Sequence, residues 1–125
     1  MANMIMITRY LVPVEDAEHF GALARTALGA FAARPGFVAG RVGRAVDDGQ
    51  LWVLSTEWRD VGAYRRALGS YEVKVHAVPL MYRAVDEPSA YEDVLTAGKD
   101  GQLVEHEPSR ADDADISAPG RFDSR

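Results

Sequence analysis

The stretch of residues 37–58, FVAGRVGRAVDDGQLWVLSTEW, decides the fold, because it contains two strand-like runs separated by a turn. The turn VDDGQ, residues 46–50, includes the pair Asp48-Gly49, and an Asp-Gly pair between two such runs is a hairpin signal. In the second run, residues 51–58, alternate positions form two faces, and neither face is fully polar. The sequence therefore predicts a β-hairpin whose two faces are both covered.

The segment before this hairpin predicts a strand followed by a helix. Residues 4–12, MIMITRYLV, carry apolar side chains at both odd- and even-numbered positions, as is typical of a strand covered on both faces. Pro13 ends the strand, and the acids Glu15 and Asp16 suit the positive N-terminus of a helix. The helix stops at residues 34–36, RPG. Its apolar residues recur at helical spacing and are Phe20, Leu23, Ala24, Ala27, Leu28 and Phe31.

The segment after the hairpin predicts helices and then a last strand. Asp60 can cap a short helix, which Gly69-Ser70 interrupts. A second helical stretch follows over residues 71–78, and Pro79 limits its extension. Residues 89–96 alternate in the manner of a strand. The apolar face of the first short helix consists of Ala63, Tyr64, Ala67 and Leu68.

The predicted element order is β-α-β-β-α-β, which is the ferredoxin-like pattern of an α+β fold. It implies a four-stranded antiparallel sheet with both helices on one face. The other face is then left bare, and apolar side chains on a bare face cost about 25 cal/mol per Å² of exposed area. Burial against a second copy relieves that cost, so we expect a homodimer.

The chain divides into one folded domain, residues 1–97, and a polar, acidic C-terminal tail, residues 98–125. A chain of 125 residues is long enough for a single core. From residue 97 to the end there are seven acids and four bases, which favours a solvated extension. Residues 102–104 are the part of this tail that could instead dock as an extra edge strand.

Composition excludes several classes of function. Residues 1–96 hold twelve acids and ten bases, so the basic stripe that nucleic-acid binding requires is absent from the sequence. Without cysteine there is no disulfide and no thiolate site, and no metal-binding pattern occurs, which fits a cytoplasmic protein. The apolar start is too short to span a bilayer, so no membrane association is expected. Nucleotide-binding, zinc-protease and serine-hydrolase motifs are also missing.

Three short stretches carry a resemblance to a known family. They are residues 7–13 (ITRYLVP) in the first strand, residues 34–37 (RPGF) before the second, and residues 55–63 (STEWRDVGA) from the third strand into the second helix. Together they resemble the antibiotic biosynthesis monooxygenase domain over residues 4–96. The resemblance implies a dimeric α/β barrel built from two ferredoxin-like chains.

Two branches of that family suggest different functions. One oxidises phenolic, quinol or polyketide-like aromatic substrates with dioxygen and without a cofactor, and the other binds and degrades haem. The haem branch uses an Asn, a Trp and a His, which match Thr8, Ala67 and His76 here. Only His76 is retained, so haem, with His76 as its ligand, is the alternative cofactor rather than the first expectation.

Cofactor-free oxidation of a phenol needs a base and a dry pocket that holds the substrate anion beside oxygen. His76 is the candidate base, because imidazole is the side chain that ordinarily titrates nearest neutrality, and Thr8 offers a hydroxyl. An unmatched histidine on a helix is otherwise a packing or surface residue. The candidate substrate-binding residues are Tyr10, Arg41, Trp52, Trp58, Tyr64 and Tyr82.

Each of these candidates also has a purely structural interpretation. Trp52 and Trp58 are stacking walls in the functional interpretation and core or interface aromatics in the structural one.

Three hypotheses for the function therefore stand. The chain is a cofactor-independent monooxygenase acting on an aromatic small molecule, a haem-binding or haem-degrading protein, or a non-catalytic dimeric module for binding or stress response.

Overall fold

A four-stranded antiparallel sheet forms one layer of the molecule, in the order β2-β3-β1-β4. The structure is a computed structural model that describes residues 3–107. Helices cover one face of the sheet, which confirms the predicted ferredoxin-like α+β fold. The elements are β1 Met4–Leu11, α1 Ala17–Ala32, β2 Phe37–Arg44, β3 Leu51–Trp58, α2 Val61–Leu68, α3 Tyr71–His76, α4 Val78–Met81, β4 Ala90–Glu92, β5 Leu95–Ala97 and β6 Leu103–Glu105.

The two faces of β1 differ sharply in burial. Met4, Met6, Thr8 and Tyr10 point toward the helices and are buried, whereas the alternate residues are half-buried or exposed. β1 pairs with β3 along its whole length and with β4 at its start, so it lies in the interior of the sheet. The sequence predicts that both faces of this strand are covered. Within the described chain, helices cover only one of them. The uncovered face carries Ile5, Ile7, Leu11, Leu51 and Val53.

Helix α1 buries the face that its apolar spacing predicts. Phe20, Ala24, Ala27 and Phe31 are buried under the sheet, and the ring of Phe20 lies 5.0 Å from that of Tyr10. The helix ends as expected before Gly36, whose φ of 88° is a conformation that favours glycine. A side chain at Gly36 would also collide with Ala63 of α2.

The predicted hairpin is present as β2 and β3, although its turn is longer than an Asp-Gly pair alone would suggest. Ala45 N–H donates to Leu51 C=O at 2.8 Å, and Asp48 Oδ1 accepts from Gln50 N–H at 2.9 Å. Within residues 3–107 only Gly36 and Gly101 have positive φ, so Gly49 does not adopt the two-residue turn geometry. The aspartate side chain supplies the turn hydrogen bond instead.

Three short helices follow β3. Asp60 caps α2, because its Oδ1 accepts from Ala63 N–H at 2.8 Å, as the sequence predicts. The predicted helix over residues 71–78 instead breaks at Ala77 and restarts as α4. Pro79 lies in the first turn of α4, where its missing N–H would have no intrahelical partner. The proline therefore begins a new helix rather than simply limiting the old one.

The predicted last strand, residues 89–96, is two separate strands. Its first part, β4, pairs with β1, and the register places Glu92 opposite Met4, where β1 begins. Asp93 N–H still reaches Asn3 C=O at 2.9 Å, but beyond that point the sheet offers no further strand. The chain therefore leaves the sheet, and β5 pairs with β6 in a separate two-stranded sheet.

This terminal hairpin spans the predicted boundary between domain and tail at residues 97 and 98. Residues 108–125, the rest of the predicted tail, lie outside the described residues. None of the helices in residues 3–107 is long and apolar enough to cross a membrane.

We expect Gly40→Ala to destabilise the fold by about 1–3 kcal/mol, because overpacking a close contact has that cost. A Cβ at Gly40 would lie 2.7 Å from Cδ1 of Leu28 and 3.0 Å from Ser55 C=O, where α1 approaches the sheet. Urea unfolding measures the change. The matched control is Gly21→Ala, where a Cβ meets nothing within 4 Å. It should stabilise by about 0.5–1 kcal/mol, because alanine is the better helix former. Equal effects at both positions would contradict this packing.

Candidate functional site

A pocket of about 220 Å³ lies beside the middle of β1, where the chain leaving α4 passes along that strand. We call it the Thr8 pocket. Thr8 and Ile7 form its strand wall, and the residues after α4 form the opposite wall. The polar side chains that line it are Thr8, Tyr82, Asp86, Glu87 and Ser89.

The opposite wall is held to β1 at three points. Ile7 N–H donates to Ser89 C=O at 2.7 Å, and Val85 N–H donates to Arg9 C=O at 2.8 Å. Between these bonds, Glu87 accepts two hydrogen bonds from the Arg9 guanidinium, each at 2.7 Å. These hydrogen bonds hold the pKa of Glu87 below its usual range and raise that of Arg9. A bidentate ion pair thus holds this wall of the pocket to β1.

Thr8 is bonded to Tyr10 on the buried face of β1. The Thr8 Oγ1 and the Tyr10 hydroxyl are 2.8 Å apart, and Thr8 Oγ1 is 3.5 Å from Leu54 C=O. If Thr8 donates to that carbonyl, Tyr10 donates to Thr8. Burial raises the pKa of Tyr10 to about 12, while the bond to Thr8 and the charge of Arg83 oppose the rise. Tyr10 is therefore a neutral donor at physiological pH.

Tyr64 contributes a second buried hydroxyl, from helix α2. The side chain is 1% exposed, and among residues 3–107 its hydroxyl has no hydrogen-bond partner. Burial raises the pKa of Tyr64, and the nearby Tyr10 raises it further. Leaving such a group unpaired costs about 1–3 kcal/mol, so a water or a ligand atom is the expected acceptor. Thr8, Tyr10 and Tyr64, which we call the hydroxyl cluster, are the predicted site residues that lie close together.

Trp58 is fully buried beneath the cluster. Its Nε1 donates to Thr56 Oγ1 at 2.7 Å, and its ring lies 5.4 Å from that of Phe37 and 5.8 Å from those of Phe31 and Tyr64. With its polar atom satisfied and its faces covered by aromatic rings, Trp58 supports Tyr64 by packing.

Trp52 and Arg41 lie away from the Thr8 pocket. Trp52 lines a different groove, between α1 and β2, and the guanidinium carbon of Arg44 lies 5.0 Å from its ring centre. Arg41 pairs opposite Ser55, on the face of the sheet that no helix covers. Tyr82, by contrast, does line the Thr8 pocket, although most of its surface is exposed.

His76 lies in a third depression, between α1 and the short helices. This groove has a volume of about 200 Å³ and is lined also by Leu23, Thr26, Leu80 and Arg83. The imidazole is 42% exposed, and its Nε2 lies 3.4 Å from Glu72 Oε1. The structure therefore does not bring His76 into the lining of the Thr8 pocket. Arg83 connects the two regions, because it lines the His76 groove and its charge also acts on Tyr10.

Several residues of this region escaped the sequence reasoning. Asp86, Glu87 and Ser89 line the pocket, and Arg83 faces both regions, yet the sequence DEP at residues 86–88 indicates only a break before a strand. The pairing of Arg9 with Glu87 joins residues that are 78 positions apart. One available signal was Arg9 itself, a charge within an otherwise apolar strand, which needs a partner when it is partly buried.

The groove at His76 does not fit haem. Its volume of about 200 Å³ is too small to enclose a tetrapyrrole ring. Ala67, at the position of the family's tryptophan, is a small side chain buried in the core. Within the described residues no group of three or more His, Asp or Glu side chains could hold a metal ion.

Comparison with known proteins identifies a matching family model and several similar structures. The model described as antibiotic biosynthesis monooxygenase matches residues 3–77. A conserved protein from Methanosarcina mazei is 18% identical, with a TM-score of 0.62 over 74% of this chain and 94% of that one. Rv0793 from Mycobacterium tuberculosis is 16% identical, with a TM-score of 0.62 over 78% and 100%.

A more similar sequence is a variant of SnoaB, described as a cofactor-independent oxygenase from Streptomyces nogalater. It is 26% identical, with a TM-score of 0.56 over 87% of this chain and 97% of that one. Among curated proteins, no relative matches the chain.

We expect Glu87→Gln to lower the free energy of unfolding at neutral pH and to have no effect in acid. The pKa of Glu87 is depressed in the folded state, so its stabilisation is present above the unfolded value of about 4.3 and is lost as the pH falls through the folded value. Urea unfolding at about pH 7 and about pH 3 measures the difference between the variant and the parent.

The matched control introduces Glu87→Gln into an Arg9→Met chain, where the carboxylate has already lost its partner. There the substitution should have little effect at either pH. A difference of equal size at both pH values, or one that persists without Arg9, would contradict the role of this ion pair.

Proposed function

The chain belongs to the antibiotic biosynthesis monooxygenase family, and on that premise we propose that it is a cofactor-independent monooxygenase of aromatic small molecules. The substrate class is phenolic, quinol or polyketide-like, and dioxygen is the oxidant. The similarity to SnoaB, at 26% identity over most of both chains, supports this choice within the family. The folded unit that performs the reaction is residues 1–97.

The observation that carries the proposal is the unsatisfied hydroxyl of Tyr64 next to the Thr8–Tyr10 pair. Both tyrosines are neutral at physiological pH and can donate hydrogen bonds. Donors fixed in a dry site stabilise negative charge far more than the same donors do in water. A phenolate is the anion that a substrate of the proposed class forms, and its oxygen would provide the acceptor that Tyr64 lacks.

The reaction needs no group beyond substrate, dioxygen and a proton acceptor. A bound phenol loses its O–H proton and becomes an electron-rich phenolate. The phenolate passes one electron to dioxygen, and the resulting superoxide and phenoxyl radical combine at a ring carbon that carries hydrogen. The C–O bond remains, the O–O bond breaks, and a quinone and one water leave. The protein orients the ring, holds the phenolate oxygen and excludes solvent.

We retain His76 as the proposed proton acceptor and Thr8 as the hydroxyl that contacts the substrate. The other proposed substrate-binding residues are Tyr10, Arg41, Trp52, Trp58, Tyr64 and Tyr82. Of these, Tyr82 has support from lining the Thr8 pocket beside Thr8, and Tyr10 from its hydrogen bond to Thr8. Tyr64 does not line that pocket, and its support is its unpaired hydroxyl near Tyr10. For His76 the support is its accessible imidazole and its groove shared with Arg83, whose charge reaches Tyr10.

A homodimer is part of the proposal. The sheet face opposite the helices carries the half-buried side chains Ile5, Ile7 and Val53, with no element of this chain over them in residues 3–107. Covering that face with the same face of a second copy would join two four-stranded sheets.

We expect Tyr64→Phe to lower kcat/KM for the best phenolic substrate about 100-fold, which is the typical cost of removing one donor to a developing oxyanion. The same change should leave the free energy of unfolding unchanged or raise it by about 1 kcal/mol, because it removes an unpaired buried hydroxyl. Oxygen uptake with a panel of hydroquinones and naphthols measures activity. Tyr71→Phe, at an exposed tyrosine, is the matched control and should behave like the parent.

His76→Ala, assayed across the same panel and pH range, tests the proposed base. If the variant loses the change of kcat/KM with pH that the parent shows near neutrality, the result supports His76 as the base. An unchanged pH profile means that the substrate ionises without His76. No oxygen uptake with any substrate would overturn the proposal and favour the non-catalytic module, and a His76-dependent haem spectrum would favour the haem alternative instead.

We expect the chain to have twice its monomer mass by light scattering at micromolar concentration, and Ile5→Lys to weaken the dimer at least about 100-fold, or about 2.7 kcal/mol. The lysine would lie opposite Glu57 within the monomer, which keeps the monomer fold tolerable, but dimerisation would bury its charge. The control is Val46→Lys, at a fully exposed turn position. A monomeric parent would exclude the dimer.

A further inference from the structure

The terminal hairpin, β5 and β6, has apolar side chains that no other element in residues 3–107 covers. Val94, Leu95, Leu103 and Val104 are 71, 53, 68 and 49% exposed. The two strands contact each other far more than they contact any other element. An isolated two-stranded hairpin is at best marginally stable in water, and it becomes stable by packing against a third strand or a helix. Among the described residues, the hairpin therefore lacks a surface to pack against.

The hairpin is nevertheless well formed. Thr96 Oγ1 and His106 Nε2 lie 2.8 Å apart across the strands, and His106 N–H donates to Val94 C=O at 3.0 Å. At the tip, Gly101 adopts a φ of 82°, and Asp100 Oδ1 accepts from Gln102 N–H at 2.9 Å. These contacts give a defined arm, which projects exposed apolar residues, rather than an irregular segment.

A largely apolar groove lies at the opposite edge of the sheet from β4, between α1 and the edge strand β2. Its volume is about 480 Å³, and its lining includes Leu28, Val42 and the ring of Trp52. Two glycines of α1, Gly21 and Gly29, also line it, and a Cβ at either would meet nothing within 4 Å. Each glycine destabilises a helix by about 1 kcal/mol relative to alanine, and no contact in the described part of the chain requires the missing methyl groups. The open space suits an occupant from outside the chain.

The arm and the groove have opposite charge. Residues 93–107 contain Asp93, Asp100, Glu105 and Glu107 against the single base Lys99. The groove is lined by Arg25, with Arg44 over the Trp52 ring, and no carboxylate lines it. Strand β2 contains two arginines and no acid, and its outer backbone edge has no partner strand in residues 3–107.

From these observations we propose that the terminal hairpin of one copy docks in the groove between α1 and β2 of a second copy. The arm begins beside β4, at one edge of the sheet, and the groove adjoins β2, at the other edge. A single chain has its arm and its groove at opposite edges, whereas two copies that face each other can bring the arm of each beside the groove of the other. The contact rests on the proposed homodimer but is separate from its sheet interface.

The absence of cysteine in the chain allows a direct test. In the full-length double variant Gly29→Cys with Leu103→Cys, a short bis-maleimide should link the two copies covalently. Denaturing gels should then show a dimer band for most of the protein. Each single variant, and the pair Gly49→Cys with Leu103→Cys, should give little of this band, because Gly49 lies in the exposed turn between β2 and β3.

A monomer band that has lost both thiols would mean that the arm occupies the groove of its own chain, and it would overturn the proposal. Retention of reactive thiols without any link, while light scattering still gives a dimer, would overturn the docking but leave the sheet interface standing. A monomeric mass would overturn both. A second readout uses Gly29→Trp, whose Cβ would meet nothing within 4 Å and whose indole should occupy the groove. It should raise the rate of trypsin cleavage after Lys99, whereas Gly49→Trp should not.

Discussion

The alternation of side chains along β1 is the constraint on which the rest of the structure depends. Because this strand has neighbours on both sides, its backbone is fixed, and each side chain must point either to the helices or to the uncovered face. Met4 and Met6 anchor the helix layer, Thr8 and Tyr10 place hydroxyls under it, and Ile5 and Ile7 lie on the face that no helix covers. Core, candidate site and proposed dimer surface are thus three consequences of one register.

The polar residues on the buried side of β1 explain why the site lies where it does. Thr8 and Tyr10 satisfy each other, but Tyr64, brought over the sheet by α2, has no acceptor among the described residues. A phenylalanine there would fill the same volume without the desolvation cost, which is why we propose that this hydroxyl donates to a bound substrate. The ion pair of Arg9 with Glu87 holds one wall of the nearby pocket to β1.

Local signals determined what could be predicted from the sequence. Residues 46–50 gave the hairpin, Asp60 gave a cap, and the spacing of Phe20, Ala24, Ala27 and Phe31 gave the buried face of α1, because each depends on near neighbours. The end of β4 could not be predicted, since it depends on where β1 begins. The walls of the Thr8 pocket also escaped, because they form only when the segment after α4 crosses a strand far away in sequence.

The edge strand β2 has a consequence for how the chain behaves during its synthesis. Unpaired strand edges template cross-β assembly, and a freshly synthesised chain exposes this one at high local concentration on polysomes. In β2, FVAGRVGR, two arginines and two glycines interrupt the apolar run, so identical edges repel one another and stack poorly. The same residues that leave the edge open to an acidic arm therefore act as gatekeepers against fibril growth.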